Sequence, residues 1–174
     1  LGMRTRVSYN GSASMSMRHT TIDVMNGNQF VEFVKSYYGE GSDAYKALGV
    51  TENGEQKFYN TNWQKEIYQV APMSNSTLVL SGAYKSLPYR VSIGHSYADG
   101  VLRTDNFKRT NAKISLNPTF FDKSLKLELN ANGTYMQNRF AEKGAISSAV
   151  LYDPTQSVFG GPAKYGGYHA WIEQ

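Results

Sequence analysis

Residues 125–135 read Leu-Lys-Leu-Glu-Leu-Asn-Ala-Asn-Gly-Thr-Tyr. The odd positions are Leu125, Leu127, Leu129, Ala131, Gly133 and Tyr135; the even ones are Lys126, Glu128, Asn130, Asn132 and Thr134. Successive side chains of a strand point to opposite sides, so this stretch has one apolar and one polar wall. A helix would mix the two sets on every face. Roughly 9–11 tilted residues suffice to carry one strand of a barrel across a bilayer. A half-solvated strand of a soluble sandwich shows the same alternation, so the surrounding sequence has to decide between them.

The pattern repeats upstream. Residues 107–118 set Ala112, Ile114 and Leu116 against Arg109, Asn111, Lys113, Ser115 and Asn117. Residues 89–97 set Tyr89, Val91, Ile93 and Tyr97 against Arg90, Ser92, Gly94 and Ser96, and residues 75–84 carry Leu78, Leu80, Gly82 and Tyr84 on one side. Residues 4–17 put Thr5, Val7, Tyr9, Gly11, Ala13, Met15 and Met17 opposite Arg6, Ser8, Asn10, Ser12, Ser14 and Ser16. That unbroken polar side would make a poor protein core and a good wall for a water-filled space. Five strands are therefore expected, at 4–17, 75–84, 89–97, 107–118 and 125–139. The links between and after them run long (18–73), short (around Pro88), middling, short (119–124) and long (140–174). Antiparallel neighbours would then place every short turn at one end and every longer loop at the other, the asymmetry of outer-membrane barrels.

Within the first long loop, Phe30, Val31, Phe33, Val34 and Tyr37 have helical spacing over 28–38, with Asn26 or Asn28 to cap the start and Gly39 or Gly41 to stop it. Residues 39–62 read as polar loop and 63–70 as a short amphipathic helix. The second long loop is rich in Gly, Pro and Tyr.

Composition narrows the function. Of 174 residues 18% are charged and 40% hydrophobic, with 13 Tyr and 16 Gly, a mixture suited to β-structure with polar walls. The net charge of +4 is scattered, so no nucleic-acid footprint is expected. Cysteine is absent, and no run of 18 apolar residues forms a membrane helix, which leaves a membrane barrel open. Leu1 opens straight into strand-like sequence, so the start reads as a processed or truncated end. His19, His95 and His169 lack metal-ligand spacing. The paired glycines at 160–161 and 166–167 lack a phosphate-loop context, and no nucleophile–base constellation stands out. The expectation is a non-enzyme with no cofactor and no metal.

Several stretches read together as a known family. Arg6-Val-Ser-Tyr-Asn-Gly-Ser, Ile22-Asp-Val-Met-Asn with Gln29-Phe30, Asn62-Trp63-Gln64 with Glu66-Ile67-Tyr68, Leu80-Ser-Gly, Tyr89-Arg-Val-Ser-Ile-Gly, Gly100-Val-Leu-Arg-Thr-Asp-Asn-Phe, Asn138-Arg-Phe and Tyr152-Asp-Pro-Thr-Gln occur in this order. Together they resemble the SusC/RagA-like TonB-dependent transporters of Bacteroidetes outer membranes, over essentially the whole chain. The resemblance implies an all-β fold, an antiparallel transmembrane β-barrel of roughly 22 strands, of which these are five consecutive ones. The chain would be the N-terminal part of the barrel domain, with a short helix in the first extracellular loop. The plug domain and the remaining barrel would be missing from it.

The implied function is energised import of oligosaccharides or oligopeptides, with a SusD-like lipoprotein over the extracellular mouth and TonB acting through the plug. Val7, Tyr9, Ala13, Leu78, Leu80, Val91, Ile93, Ile114, Leu116, Leu127, Leu129 and Tyr135 are expected to face membrane lipid. Arg6, Ser8, Asn10, Arg90, Ser92, Lys113, Ser115, Lys126, Glu128 and Asn130 are expected to face the lumen. Substrate or lid contact is expected of Asn138 and Arg139 at the mouth and of Tyr152, Tyr165, Tyr168 and Trp171 in the second long loop. One rival is a soluble β-sandwich carbohydrate-binding module, with Trp63, Tyr165, Tyr168 and Trp171 as stacking platforms. Another is an outer-membrane barrel of a different kind, such as a siderophore receptor.

Overall fold

The computed structural model describes residues 4–18, 20–85, 87–121, 124–161 and 163–168. In chain order the elements are β1 (Arg6–Ser16), α1 (Gly27–Tyr38), α2 (Asp43–Lys46), β2 (Val50–Glu52), β3 (Glu55–Lys57), α3 (Trp63–Ile67), β4 (Ala71–Tyr84), β5 (Leu87–Asp99), β6 (Asn106–Leu116), β7 (Thr119–Phe120), β8 (Leu125–Lys126), β9 (Leu129–Arg139), α4 (Gly144–Leu151) and a 3-10 turn (Ala163–Tyr165). They form two compact units. A sheet unit comprises Leu1–Arg18 with Gln69–Ala141, and a loop unit comprises His19–Tyr68 with Glu142–Gln174.

The sheet has five strands in the order β1-β4-β5-β6-β9, each antiparallel to its neighbour. Residues directly opposite on paired strands share a face, so the register can be read as rows. Val7, Leu80, Val91, Ile114 and Ala131 make one row; Tyr9, Leu78, Ile93, Ala112 and Gly133 make the next. The other face carries Arg6, Ser81, Arg90, Ser115 and Asn130, then Ser8, Val79, Ser92, Lys113 and Asn132. The period-two reading of each strand thus combines into one apolar and one polar face for the whole sheet. The apolar face stands open, with Val7 63%, Ile93 51% and Tyr135 65% exposed.

Strand boundaries differ from those expected, and proline is the usual reason. β4 starts at Ala71, because Pro72 pairs with Met15 beyond the last β5 partner and has a strand on one side only. β5 takes in Leu87 and Pro88, which shortens the turn after Tyr84; Lys85 there has φ 52°. The β5–β6 link shrinks to residues 100–105, closed by Gly100 N donating to Asp105 O at 2.9 Å. A Cβ on Gly100 would lie 2.4 Å from Asp105, so the turn requires glycine.

The expected strand over 125–139 is divided. β8 pairs with β7, and β9 pairs with β6. Leu116 faces Leu129 and Thr119 faces Lys126, so two residues lie between the ladders on each strand and the hairpin is continuous. Leu127 N donates to Pro118 O at 3.0 Å; Pro118 has no N–H with which to return the bond, and the ladder lacks a rung there.

In the loop unit, α1 forms where the spacing placed it. Asn26 caps it reciprocally with Gln29, each side chain accepting from the other's backbone N–H, and Gly39 ends it. The segment read as plain loop before Trp63 instead holds α2 and the β2–β3 hairpin, which turns at Asn53 and Gly54 with φ of 53° and 85°. The second long loop, read as wholly irregular, contains α4. Among the described residues no helix is long and apolar enough to cross a membrane.

Candidate functional site

The loop unit is closed by the segment Asp153-Pro-Thr-Gln156. Tyr59 N donates to Thr155 O and Thr61 N to Pro154 O, both at 2.9 Å, so residues 59–61 run beside this segment like a short strand. Thr155 is fully buried. Its Oγ1 accepts from Gly49 N at 2.7 Å and donates to Asp153 Oδ1 at 2.7 Å. The same carboxylate oxygen accepts from Thr155 N at 2.8 Å, while Gln156 Nε2 reaches Gly49 O at 2.8 Å and Asp153 Oδ2 at 3.2 Å. Thr61 Oγ1 donates to Gln156 O. Every polar atom of the Thr155 side chain is satisfied in a place water does not reach, as burial requires.

Two glycines permit this approach. Gly27 N donates to Asn60 Oδ1 at 2.8 Å, and a Cβ at Gly27 would stand 2.3 Å from Tyr59 O. Gly49 has φ 67°, and a Cβ there would stand 2.3 Å from Lys57 O. Either side chain would push the segments apart.

Beside the clasp lies a cleft of about 510 Å3 whose lining includes Met25, Phe30, Asn60, Trp63, Val150 and Tyr152. Trp63 Nε1 donates to Asp153 O at 2.9 Å, and its ring meets Tyr152 edge-on with centroids 4.8 Å apart. Burial first, and the neighbouring Asp153 charge second, push the Tyr152 hydroxyl above its ordinary pKa. On the rim of the unit, Tyr59 OH donates to Glu52, which also pairs with Lys57 at 2.9 Å. The hydrogen bond to Glu52 raises Tyr59, with burial adding to it, and the same carboxylate raises Lys57. Asp153 is held by donors on both oxygens, so this site is built to hold a shape. Among the described residues no group of His, Asp and Glu converges to hold a metal ion.

The residues singled out from sequence do not form one cluster. Tyr152 sits against Trp63. Tyr168 bridges in antiparallel fashion to Phe159, their ring centroids 5.1 Å apart, and both are exposed. Tyr165 ends the 3-10 turn, and its side chain, like all of Trp171, lies outside the described residues. Asn138 and Arg139 end β9 on opposite faces. Asn138 is opposite Phe107 on the polar face, and Arg139 is opposite Asn106 on the apolar one. His95, on the apolar face, shares a hydrogen bond with Thr110 at 2.9 Å. Glu128 accepts from Asn130 at 3.0 Å. Sequence reasoning missed Thr155 and Gln156 as the centre of the loop unit, although Asp-Pro-Thr is a turn signal in itself.

No family model matches the chain. Similarity to characterised proteins is nonetheless extensive and falls on one class, the TonB-dependent receptors. Over 171 residues the chain is 35% identical to the TonB-dependent receptor SusC of Bacteroides thetaiotaomicron, covering 96% of this chain and 16% of that protein. It is 26% identical over 170 residues to the TonB-dependent receptor P3 of Formosa agariphila, covering 90% of the chain and 15% of the relative. The chain is therefore SusC-like along nearly its whole length and spans about 16% of the length of SusC.

Proposed function

We propose that this chain forms part of the barrel wall, with two of the outer loops, of a TonB-dependent transporter in a bacterial outer membrane. The observation that carries this reading is the register. It aligns apolar side chains into rows across all five strands of one face and polar side chains across the other. In the proposed setting the apolar face meets lipid and the polar face lines the lumen or meets the plug. Long strands linked by short turns at one end and long excursions at the other fit periplasmic turns and extracellular loops. The cargo is an oligosaccharide or oligopeptide, a SusD-like lipoprotein covers the mouth, and TonB acts through the plug.

Of the candidate contact residues, Asn138 shares the luminal face. Tyr168 with Phe159 offers exposed ring surface, while Tyr152 supports Trp63. The soluble-sandwich alternative would use Trp63 as a stacking platform. That ring is instead half-buried, with its N–H taken by Asp153, which disfavours the alternative.

Deletion of the full-length gene in its own host, with complementation, tests the proposal. Loss of growth on a glycan or peptide source, and recovery of the protein only in the detergent-extracted outer-membrane fraction, are the expected results. A protein released into the aqueous fraction, with uptake intact in the deletion strain, would overturn it.

A further inference from the structure

The apolar face changes character towards the end of the sheet that carries the long connections. Beyond Leu78, Ile93, Ala112 and Gly133 the next rows read His95–Thr110–Tyr135, Tyr97–Lys108–Gln137 and Asp99–Asn106–Arg139. Within β1, β4, β5, β6 and β9, Lys108 and Arg139 are the Lys and Arg residues of this face, and both belong to the last two rows. Lys108 lies four residues beyond Ala112, roughly 14 Å along the strand. Lys108 faces Gln137, so Arg139 is its diagonal neighbour on the next strand, about 7–8 Å away at the backbone. Two long cationic side chains at that spacing can close on one anion. The Lys108 ammonium stands 5.6 Å from the centre of the Tyr97 ring, within cation–π range. The nearest carboxylate of these rows, Asp99, accepts from Tyr97 OH at 2.8 Å and Asn106 Nδ2 at 2.6 Å. Asp99 is the diagonal neighbour of Lys108 on the other side, with both its oxygens taken by Tyr97 and Asn106, and it lies two strand spacings or about 10 Å from Arg139.

We infer that Lys108 and Arg139 bind the phosphate of a membrane lipid headgroup whose acyl chains lie along the apolar rows. The inference rests on the apolar face being the lipid face. Its chemistry is that of an anionic amphiphile, with a cation pair for the headgroup phosphate and Gln137, Asn106 and Thr110 beside it as neutral polar partners. Below them an apolar band receives the chains. Surface cations near an anionic lipid each contribute enough that losing both should weaken retention roughly tenfold or more.

The test uses the full-length transporter in nanodiscs of phosphatidylcholine doped with lipid A, either phosphorylated or enzymatically dephosphorylated. Lipid A retained through purification is counted by mass spectrometry. Wild type should retain the phosphorylated form preferentially. K108Q/R139Q should lose that preference, and R90Q/K113Q, which alters the opposite face, should keep it. Equal retention of both lipids by wild type, unchanged retention by K108Q/R139Q, or an equal loss in R90Q/K113Q would each overturn the assignment. Bromolipid quenching of a probe at Ile93 and at Ser92 separates the two levels. Quenching at Ile93 alone with unchanged retention rejects the phosphate site but keeps the lipid face; quenching at Ser92 instead rejects both.

Discussion

The indole nitrogen of Trp63 donates to the backbone carbonyl of Asp153 at 2.9 Å, joining residues 90 positions apart. Around this bond the loops before and after the central strands fold as one unit, with Thr155 buried at its centre. What look in sequence like two independent excursions therefore share their stability.

Thr155→Val keeps the shape of the side chain and removes its hydroxyl. Gly49 N–H, itself half-buried, is then left without its acceptor, which costs about 1 kcal/mol, the low end for an unsatisfied donor. Hydrogen exchange in the full-length protein should speed up at the amides of Gly49, Tyr59 and Thr61, with the strand amides of β5 unchanged. Exchange confined to residues 155–157 would show the two segments to be independent.

Ile93 and Ser92 are neighbours in the central strand on opposite faces. Arginine on the lipid side at mid-bilayer depth costs roughly 2–4 kcal/mol, so Ile93→Arg should reduce heat-resistant, membrane-inserted protein far more than Ser92→Arg. Similar losses from both would reject the facing assignment.

The loop unit should weaken at alkaline pH. Tyr152 and Tyr59 both have hydroxyl pKa values raised on folding, Tyr152 mainly by burial and Tyr59 mainly by its bond to Glu52. A raised folded value means the contribution is full below the ordinary tyrosine pKa of about 10 and is lost as pH climbs through the raised value. Protease susceptibility of residues 142–168 should rise above that pH, and Tyr152→Phe, which keeps the ring, should make the rise shallower. An identical profile in the variant would remove Tyr152 from the cause.

Gly54 tips the β2–β3 hairpin with open space around it. An epitope inserted there should be stained on intact cells, whereas one inserted after Lys85 should be reached only after the outer membrane is permeabilised. The reverse pattern would turn the sheet over.

The sheet was legible because each strand announces itself with a period of two, and partners in register then share one face, as Ile93 and Ala112 do. Its limits were less so, since Pro72 and Pro88 look like boundaries yet sit where a ladder donor is not needed. The capping box at Asn26 made α1 readable. The Asn53-Gly54 pair was an available hairpin signal, both residues having the positive φ such turns require. α4 carried no such signal, because Gly-Ala-Ile-Ser-Ser-Ala-Val-Leu has neither a capping side chain nor a sided apolar stripe. The clasp was hidden for a different reason, in that its partners are far apart in sequence and single-sequence patterns report only neighbours.

The hydrogen bond from Gly49 to Thr155 spans 106 positions, and β4, β5, β6 and β9 all lie between them. Adjacent hairpins close over short stretches of chain, whereas this contact must bring together ends separated by most of the sequence, at a greater entropic cost. The clasp thus acts as a keystone, set after the intervening strands have been laid. Until Thr155 arrives, the half-buried polar groups of Gly49, Asp153 and Gln156 have no centre. A molecule halted before β9 would carry hairpins already in register and loops that have yet to meet.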